Sequence, residues 1–184
     1  MISFNVEFKG QGLVLRQLDA IKSGIERMKV LRALARSAVD LIKTRTLEGK
    51  DENDGRLIPS KRAQRESGQT LSDKGHMLGA MKVLSVTKDR AVIGFGAALE
   101  ARKAWWAQKG TKRHWISPQT AKALGWKPGG GRGRGGEWWF SRGHMHPGTP
   151  PRPFFGISPS DERELVKECS ALVAEALDRE KAMQ

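Results

Sequence analysis

Two histidines separated by one residue, His144 and His146, come closest in this sequence to a set of catalytic ligands. Residues i and i+2 of an extended segment point to the same side, so both imidazoles could bind one metal ion. A hydrolytic centre would need a third ligand, such as His76 or His114. No HExxH or CxxC signature accompanies the pair. We therefore predict two surface histidines beside a proline-rich turn, with no metal site and no cofactor.

The other residue types that perform catalysis occur without a matching arrangement. No GxSxG motif marks a serine nucleophile, and Asp51, Glu52 and Asp54 lie in a charged stretch that solvation explains. The single cysteine, Cys169, falls on the apolar stripe of a predicted helix, which favours core packing and, with no partner for a disulfide, a reducing cytoplasm. Because no acid, base and electrophile stabiliser can be defined together, we predict that the chain is not an enzyme.

A glycine- and arginine-rich tract, GGGRGRGG at 129–136, could bind nucleic acid. It lacks the lysine and the following serine or threonine of a phosphate-binding loop. Arg132 and Arg134 could instead approach a phosphate backbone while Trp138 and Trp139 stack on bases. The alternative is a mobile loop between two strands. We favour a loop that becomes ordered when it binds a partner, and we expect that partner to be a protein in preference to DNA.

Six tryptophans and no tyrosine make the aromatic content unusual. Adjacent residues diverge by about 100° in a helix and point to opposite faces of a strand. The pairs Trp105–Trp106 and Trp138–Trp139 therefore cannot all face one interior, and we expect at least one indole of each pair to be exposed in an isolated subunit. Tryptophan and arginine are enriched in protein interfaces, which indicates an assembly component.

The charge of the chain points to an anionic partner. The formal net charge is +13 and the isoelectric point about 10.3, so nucleic acid, lipid headgroups or an acidic protein could be attracted. No apolar run is long enough to span a membrane, and residues 1–10 do not read as a signal peptide. We therefore expect no membrane partner.

Hydrophobic periodicity predicts both helices and strands. The N-terminal half is predicted as a strand at 2–8, a helix from Leu13 to Leu47 and a long loop at 49–70. We expect the helix to break or restart at Gly24 and to end at Gly49. The predicted apolar stripe of that helix comprises Ile21, Ile25, Met28, Leu31, Ala35, Ala38 and Ile42.

The C-terminal half is predicted with the same signals. It should begin with a helical turn within 71–81, for which Ser72 is a candidate cap, and a hairpin of Lys82–Thr87 and Ala91–Phe95. A helix at 97–109, ended by Gly110, should follow. Beyond it we expect strands at about 114–117 and 137–141 that flank a flexible excursion, and a last helix that runs to about residue 180. Ser158 is the expected cap of that last helix, with Pro159 first in the helix and Asp161 completing the cap.

Four segments together resemble the phage virion-morphogenesis, or tail-completion, proteins. They are LSDKGHMLGAM at 71–81, AVIGFG at 91–96, AWWAQKGT at 104–111 and HPGTPPRPFF at 146–155. Their order and spacing carry the resemblance, which covers roughly residues 12–180.

The resemblance implies an α+β fold, with a small antiparallel sheet packed on a long N-terminal helix and a C-terminal helix and with extended loops. We expect one domain over 1–184, with a long loop at 49–70 and a Gly/Arg/Trp-rich excursion at 111–153. It also implies a homo-oligomeric ring, expected to be a hexamer, around the DNA channel of a phage neck. The family has no known catalytic residues.

The expected function is therefore that of a structural subunit needed for head–tail joining, located in the virion neck or tail and assembled in the host cytoplasm. Its expected partners are copies of itself, neighbouring neck proteins, tail-terminator or tail-tube proteins, and the genomic DNA in the channel. The alternative function is that of a basic nucleic-acid-binding module that uses the Gly/Arg/Trp-rich segment. Proline-rich residues 147–153 would stiffen the chain, so that Phe154 and Phe155 anchor either the last helix or a neighbour. The interface or DNA-contact candidates are Trp105, Trp106, Arg132, Arg134, Trp138, Trp139, Arg152, Phe154 and Phe155.

Overall fold

The computed structural model describes residues 11–66, 68–71, 75–126 and 138–182. The predicted strand at 2–8, the candidate cap Ser72 and the two arginines of the 129–136 tract lie outside these ranges. The described elements are α1 (Gln11–Asp19), α2 (Gly24–Leu47), α3 (Lys61–Glu66), α4 (His76–Gly79), β1 (Met81–Val86), β2 (Ala91–Phe95), α5 (Ala98–Lys109), β3 (His114–Ile116), β4 (Leu124–Trp126), β5 (Trp139–Ser141), β6 (His144–His146) and α6 (Pro159–Ala182). The fold is α+β, as predicted, with a long helix in each half of the chain and three two-stranded antiparallel sheets in the described residues.

The chain divides into two compact units. One comprises Met1–Lys109 with Pro151–Gln184, and the other comprises Gly110–Pro150. We call them the helical unit and the ribbon unit, respectively.

The long N-terminal helix restarts at Gly24, one of the two outcomes predicted for that position. Ser23 lies in extended backbone before α2, and its hydroxyl accepts from the Glu26 amide at 3.4 Å. Gly49, with φ of +75°, follows the end of the helix as expected. The predicted burial of Ile25 is wrong: it is exposed, because it lies nine residues, two and a half turns, from buried Leu34 and so on the opposite side of α2.

The last helix begins as its sequence predicts. The Ser158 amide donates to Asp161 Oδ2 at 3.1 Å, and the Asp161 amide donates to Ser158 Oγ at 3.2 Å, which forms a reciprocal cap. Buried residues of α1, α2, α6 and the link between α1 and α2 form the first core cluster, which includes Val14, Leu18, Ile21, Val30, Leu31, Leu34, Ala38, Leu165, Cys169, Val173 and Ala176. The prediction that Cys169 packs in the core is therefore confirmed.

The predicted hairpin is confirmed and contributes to a second core cluster. Met81 pairs with Phe95 and Val86 with Ala91, and the register shifts at Leu84, which bulges out of β1. The hairpin contacts α2 and α5, and α5 ends before Gly110, whose φ is +69°. Phe154 and Phe155 complete this cluster, with ring centroids 6.4 and 5.4 Å from that of Phe95.

The stretch 49–70 is not an unbroken loop, contrary to the prediction. It contains α3, which begins where Ser60 Oγ accepts from the Ala63 amide at 3.1 Å. An isolated bridge between Lys50 and Arg56 closes the preceding turn. The sequence shows no apolar periodicity here, and the serine cap was the signal that could have located the helix.

The ribbon unit contains two of the two-stranded sheets, and one of them joins strands that are not consecutive in the chain. In antiparallel register, β3 pairs with β6 and β4 pairs with β5. The predicted strands near 114–117 and 137–141 are present as β3 and β5, but each pairs with a strand that was not predicted. Thr111 and Thr149 bridge the two ends of the unit, where their backbone groups exchange hydrogen bonds of 3.0 and 3.1 Å.

Candidate interaction surfaces

Helix α5 directs its small residues inward and its largest residues outward. Ala101 and Ala104 are buried in the second core cluster. Trp105 and Trp106 are 39% and 49% exposed, and Leu99 is also exposed. Lys109 Nζ lies 5.8 Å from the centroid of the Trp105 ring, one turn along the helix, within the range of a cation–π contact. A helix with this arrangement presents an aromatic face for a further partner.

The hairpin of β4 and β5 exposes aromatic side chains on both faces. Trp138 and Phe140 share one face, with ring centroids 6.4 Å apart and planes 23° apart, and they are 58% and 70% exposed. A Cβ atom at Gly125 would lie 3.1 Å from Phe140 Cε1 and 3.5 Å from Trp138 Cε3, so both rings lie over this glycine. Trp139 points to the opposite face and is 59% exposed.

All four indoles of the two adjacent pairs are therefore exposed, which confirms the prediction of at least one in each. Phe140 was missed as a candidate. Its position two residues after Trp138 was the available signal, because both then share a strand face.

The described part of the ribbon unit has no apolar core. None of its described apolar side chains is buried, and Trp115, Ile116 and Met145 are exposed in addition to the aromatic residues of β5. The ring of Trp115 lies against Gly143, where a side chain would collide with it. Burial of apolar surface is the main favourable term in folding, so this unit is a surface that a partner can stabilise by covering it.

The ribbon unit is also strongly basic. Its sequence contains one acidic residue, Glu137. Its lysines and arginines are Lys112, Arg113, Lys122, Lys127, Arg132, Arg134 and Arg142. Such a surface attracts an anionic partner, which can be nucleic acid or an acidic protein.

Two of the candidate metal ligands come together in the ribbon unit. His114 faces His146 across β3 and β6, with ring centroids 5.0 Å apart. His114 Nδ1 lies 2.8 Å from the Lys112 carbonyl oxygen, and His146 Nδ1 accepts from the Gly148 amide at 3.0 Å. His144 lies two residues along β6, while His76 belongs to α4 in the other unit. The described residues contain no group of three or more His, Cys, Asp or Glu that could hold a metal ion.

Phe154 and Phe155 are removed from the interface candidates, because both are buried in the helical unit's own core. Gln108 Oε1 fixes their backbone by accepting from the two amides at 2.9 and 3.0 Å. Of the two predicted roles, anchoring a neighbour is therefore wrong, and the rings pack within the chain. Arg152 Nε donates to the Ile58 carbonyl at 2.8 Å, and partial burial lowers the pKa of Arg152. Its side chain ties the loop before α3 to the segment before α6.

The carboxylates at 51–54 are structural acceptors, which corrects their interpretation as a solvated face. Asp51 Oδ1 accepts from the Asn53 and Gly55 amides, both at 2.8 Å. Glu52 accepts from Gln108 Nε2 at 2.8 Å. Asp54 accepts from the Ser160 hydroxyl at 2.5 Å and from its amide at 3.0 Å, and these hydrogen bonds lower the pKa of Asp54. The acidic loop therefore holds the start of α6.

Cys169 offers no reactive thiol. It is buried, and desolvation raises the pKa of its thiol, so the nucleophilic thiolate is disfavoured. In the described residues, no helix is both long and apolar enough to cross a membrane.

Comparison with known proteins adds no relative. No family model matches this chain, and no curated protein or solved structure is significantly similar to it.

Proposed function

We propose that this chain is a non-enzymatic structural subunit of a bacteriophage neck, a tail-completion ring protein needed for head–tail joining. The observation that carries the proposal is that none of the described apolar side chains of the ribbon unit is buried. A polypeptide that leaves indole and phenyl rings exposed on both faces of a hairpin is suited to assembly, since partners remove that surface from water.

Exposed aromatic side chains on two different units fit a ring of copies better than a simple pair. Trp105 and Trp106 lie on α5 of the helical unit, while Trp138 and Trp139 lie on the ribbon unit. When one surface of a subunit binds a different surface of the next copy, the contact is head-to-tail, and such contacts close into a ring if the rotation allows. The expected hexamer remains an implication of the resemblance to the tail-completion family.

The excess positive charge fits a neck position. A ring around the channel meets the phosphates of the genome, and rings stacked above and below can present acidic surfaces. Both kinds of neighbour are anionic, which is the chemistry that the basic ribbon unit attracts.

Disruption of the gene in the phage that carries it tests the proposal. We expect filled heads and complete tails that fail to join, with joining restored by the gene supplied in trans. As a matched pair for complementation, W138S/F140S should fail to restore joining, whereas R163E/K167E, which changes two exposed cations of α6, should restore it. Normal joining without the gene contradicts the proposed function.

The basic aromatic composition of the ribbon unit also favours a second candidate, a nucleic-acid-binding module. Arg132 and Arg134 would contact phosphates while Trp138 and Phe140 stack on bases. Binding to a fluorescent oligonucleotide should weaken steeply as the salt concentration rises. R132A/R134A should reduce the slope of this salt dependence by an amount equal to the loss of up to about two phosphate contacts. R102A/R163A is the control, and an unchanged slope in R132A/R134A excludes the tract as the contact.

A further inference from the structure

A groove runs between helix α2 and strand β1 of the helical unit. Its volume is about 510 Å³. Buried Val39 and Met81 and half-buried Val83 provide its apolar part. The whole lining consists of Arg32, Arg36, Val39, Asp40, Lys43 and all of β1 from Met81 to Val86.

The lining shows that this groove follows the edge of the sheet. Successive side chains of a strand point to opposite faces, so a hollow over one face would contact alternate residues. This groove is lined by every residue of β1. Among the described strands, β1 pairs with β2 alone, so the edge that faces the groove presents backbone groups that no described strand pairs with.

The charge of the groove selects among segments that could pair there. Arg32, Arg36 and Lys43 of α2 line the groove, and Asp40 is the one acidic residue of the lining. Lys82 also belongs to the lining, but its ammonium lies over Gly96, which follows β2. None of the ion pairs between described residues includes Arg32, Arg36 or Lys43. A row of cations beside an open edge repels another basic segment, so the equally basic β1 edge of a second copy is disfavoured as the added strand.

We propose that the groove binds an extended acidic segment of a different protein, which adds a strand to the edge of β1. Backbone hydrogen bonds to β1 would supply affinity, while Arg32, Arg36 and Lys43 would select carboxylates. The identification of that protein as a virion neighbour rests on the proposed function; the chemistry of the groove does not.

Binding of a labelled peptide to the purified full chain tests the groove. The probe is a peptide of about eight residues that alternates glutamate with valine, followed by fluorescence anisotropy at low salt. The double substitution R32E/R36E should weaken binding by about tenfold, because two attractive contacts become repulsive. The control R102E/R163E makes the same charge change on exposed positions of α5 and α6 and should alter binding by less than about twofold.

Two N-methylated versions of the probe test strand addition itself. Amides of alternate residues point to the same edge of a strand, so methylation of all valine amides blocks one edge and methylation of all glutamate amides blocks the other. One version should lose binding and the other should retain it. The proposal is overturned if the two methylated peptides bind with the same affinity, or if R32E/R36E binds the probe as tightly as the parent chain does. It is also overturned if oligothymidine, at the same concentration as the peptide, displaces it. Head–tail joining is measured separately, so a failure of the groove is distinguishable from a failure of the ring.

Discussion

The guanidinium of Arg45, in the last turn of α2, donates to Asp161 Oδ2 in the first turn of α6, and both side chains are buried. Arg45 Nη2 also donates to the carbonyls of Phe154 and Gly156 at 2.7 and 2.9 Å. A cation at a helix C-terminus and an anion at a helix N-terminus both complement the helix dipoles. The pair therefore joins the two long helices and the buried phenylalanines in one polar network.

The first prediction concerns the loss of this cation. Arg45→Met should lower the free energy of unfolding by about 3–5 kcal/mol, because it leaves the Asp161 carboxylate buried without its partner. Urea unfolding followed by circular dichroism measures the change. The control Lys50→Met removes the exposed pair between Lys50 and Glu48 and should cost less than about 1 kcal/mol. Similar costs for the two variants would show that the Arg45 pair is not a buried determinant of stability.

The second prediction concerns acid sensitivity at the start of α6. Hydrogen bonds from Ser160 hold the pKa of Asp54 below its ordinary value, so the folded state gains stability above about pH 4, the ordinary value for aspartate. That stability is lost as the pH falls through the lowered pKa of the folded state. Asp54→Asn should flatten this part of the stability profile, since asparagine tolerates the positive φ at this position but does not titrate there.

Urea unfolding at a series of acidic pH values measures this effect. Asp178→Asn, on the exposed C-terminal part of α6, provides the matched control and should keep the slope of the parent chain. If Asp54→Asn and the parent chain lose stability in parallel as the pH falls, Asp54 is not responsible for the effect.

The third prediction separates aromatic residues that support the fold from those that support assembly. W138S/F140S should change the free energy of unfolding by less than about 0.5 kcal/mol, because both rings are exposed, but should reduce self-association. Phe154→Ala should cost about 3–5 kcal/mol, because its ring is fully buried. Thermal unfolding and sedimentation velocity measure the two effects. Unchanged association of W138S/F140S would exclude this aromatic face as a contact between copies.

The fourth prediction concerns the histidines of the ribbon unit. Chain purified without a polyhistidine tag should contain far less than one equivalent of zinc or manganese, since His114 and His146 provide two ligands and a closed zinc site takes four. Metal analysis by mass spectrometry measures the content, with H146N as the comparison. One equivalent of metal in the parent chain that is absent from H146N would establish a metal centre and contradict this prediction.

Local signals allowed several elements to be predicted from sequence, and contacts between distant residues explain what was missed. The reciprocal cap of Ser158 and Asp161 joins residues that are three apart, so its motif can be recognised in the sequence. Asp54 and Ser160 are 106 residues apart, and no local pattern indicates that they meet. Strands of three residues, such as β4 and β6, are too short to show periodicity.

The candidate site was predictable to a similar extent. Exposure of the paired indoles follows from strand and helix geometry alone, whereas burial of Phe154 depends on how its segment packs on α5. Arg45 had a signal that was not used. It lies three residues after Ile42 and seven after Ala38, on the apolar stripe of α2, and a cation at such a position requires a buried partner.

The most direct test of the assembly proposed above is a reconstruction of the neck of the intact phage particle by electron cryomicroscopy. We expect a closed ring of copies of this chain between head and tail, with Trp105, Trp106, Trp138 and Trp139 covered by adjacent copies or stacked neighbours. A neck that lacks the chain, or a ring in which these four indoles remain open to solvent, would contradict the account.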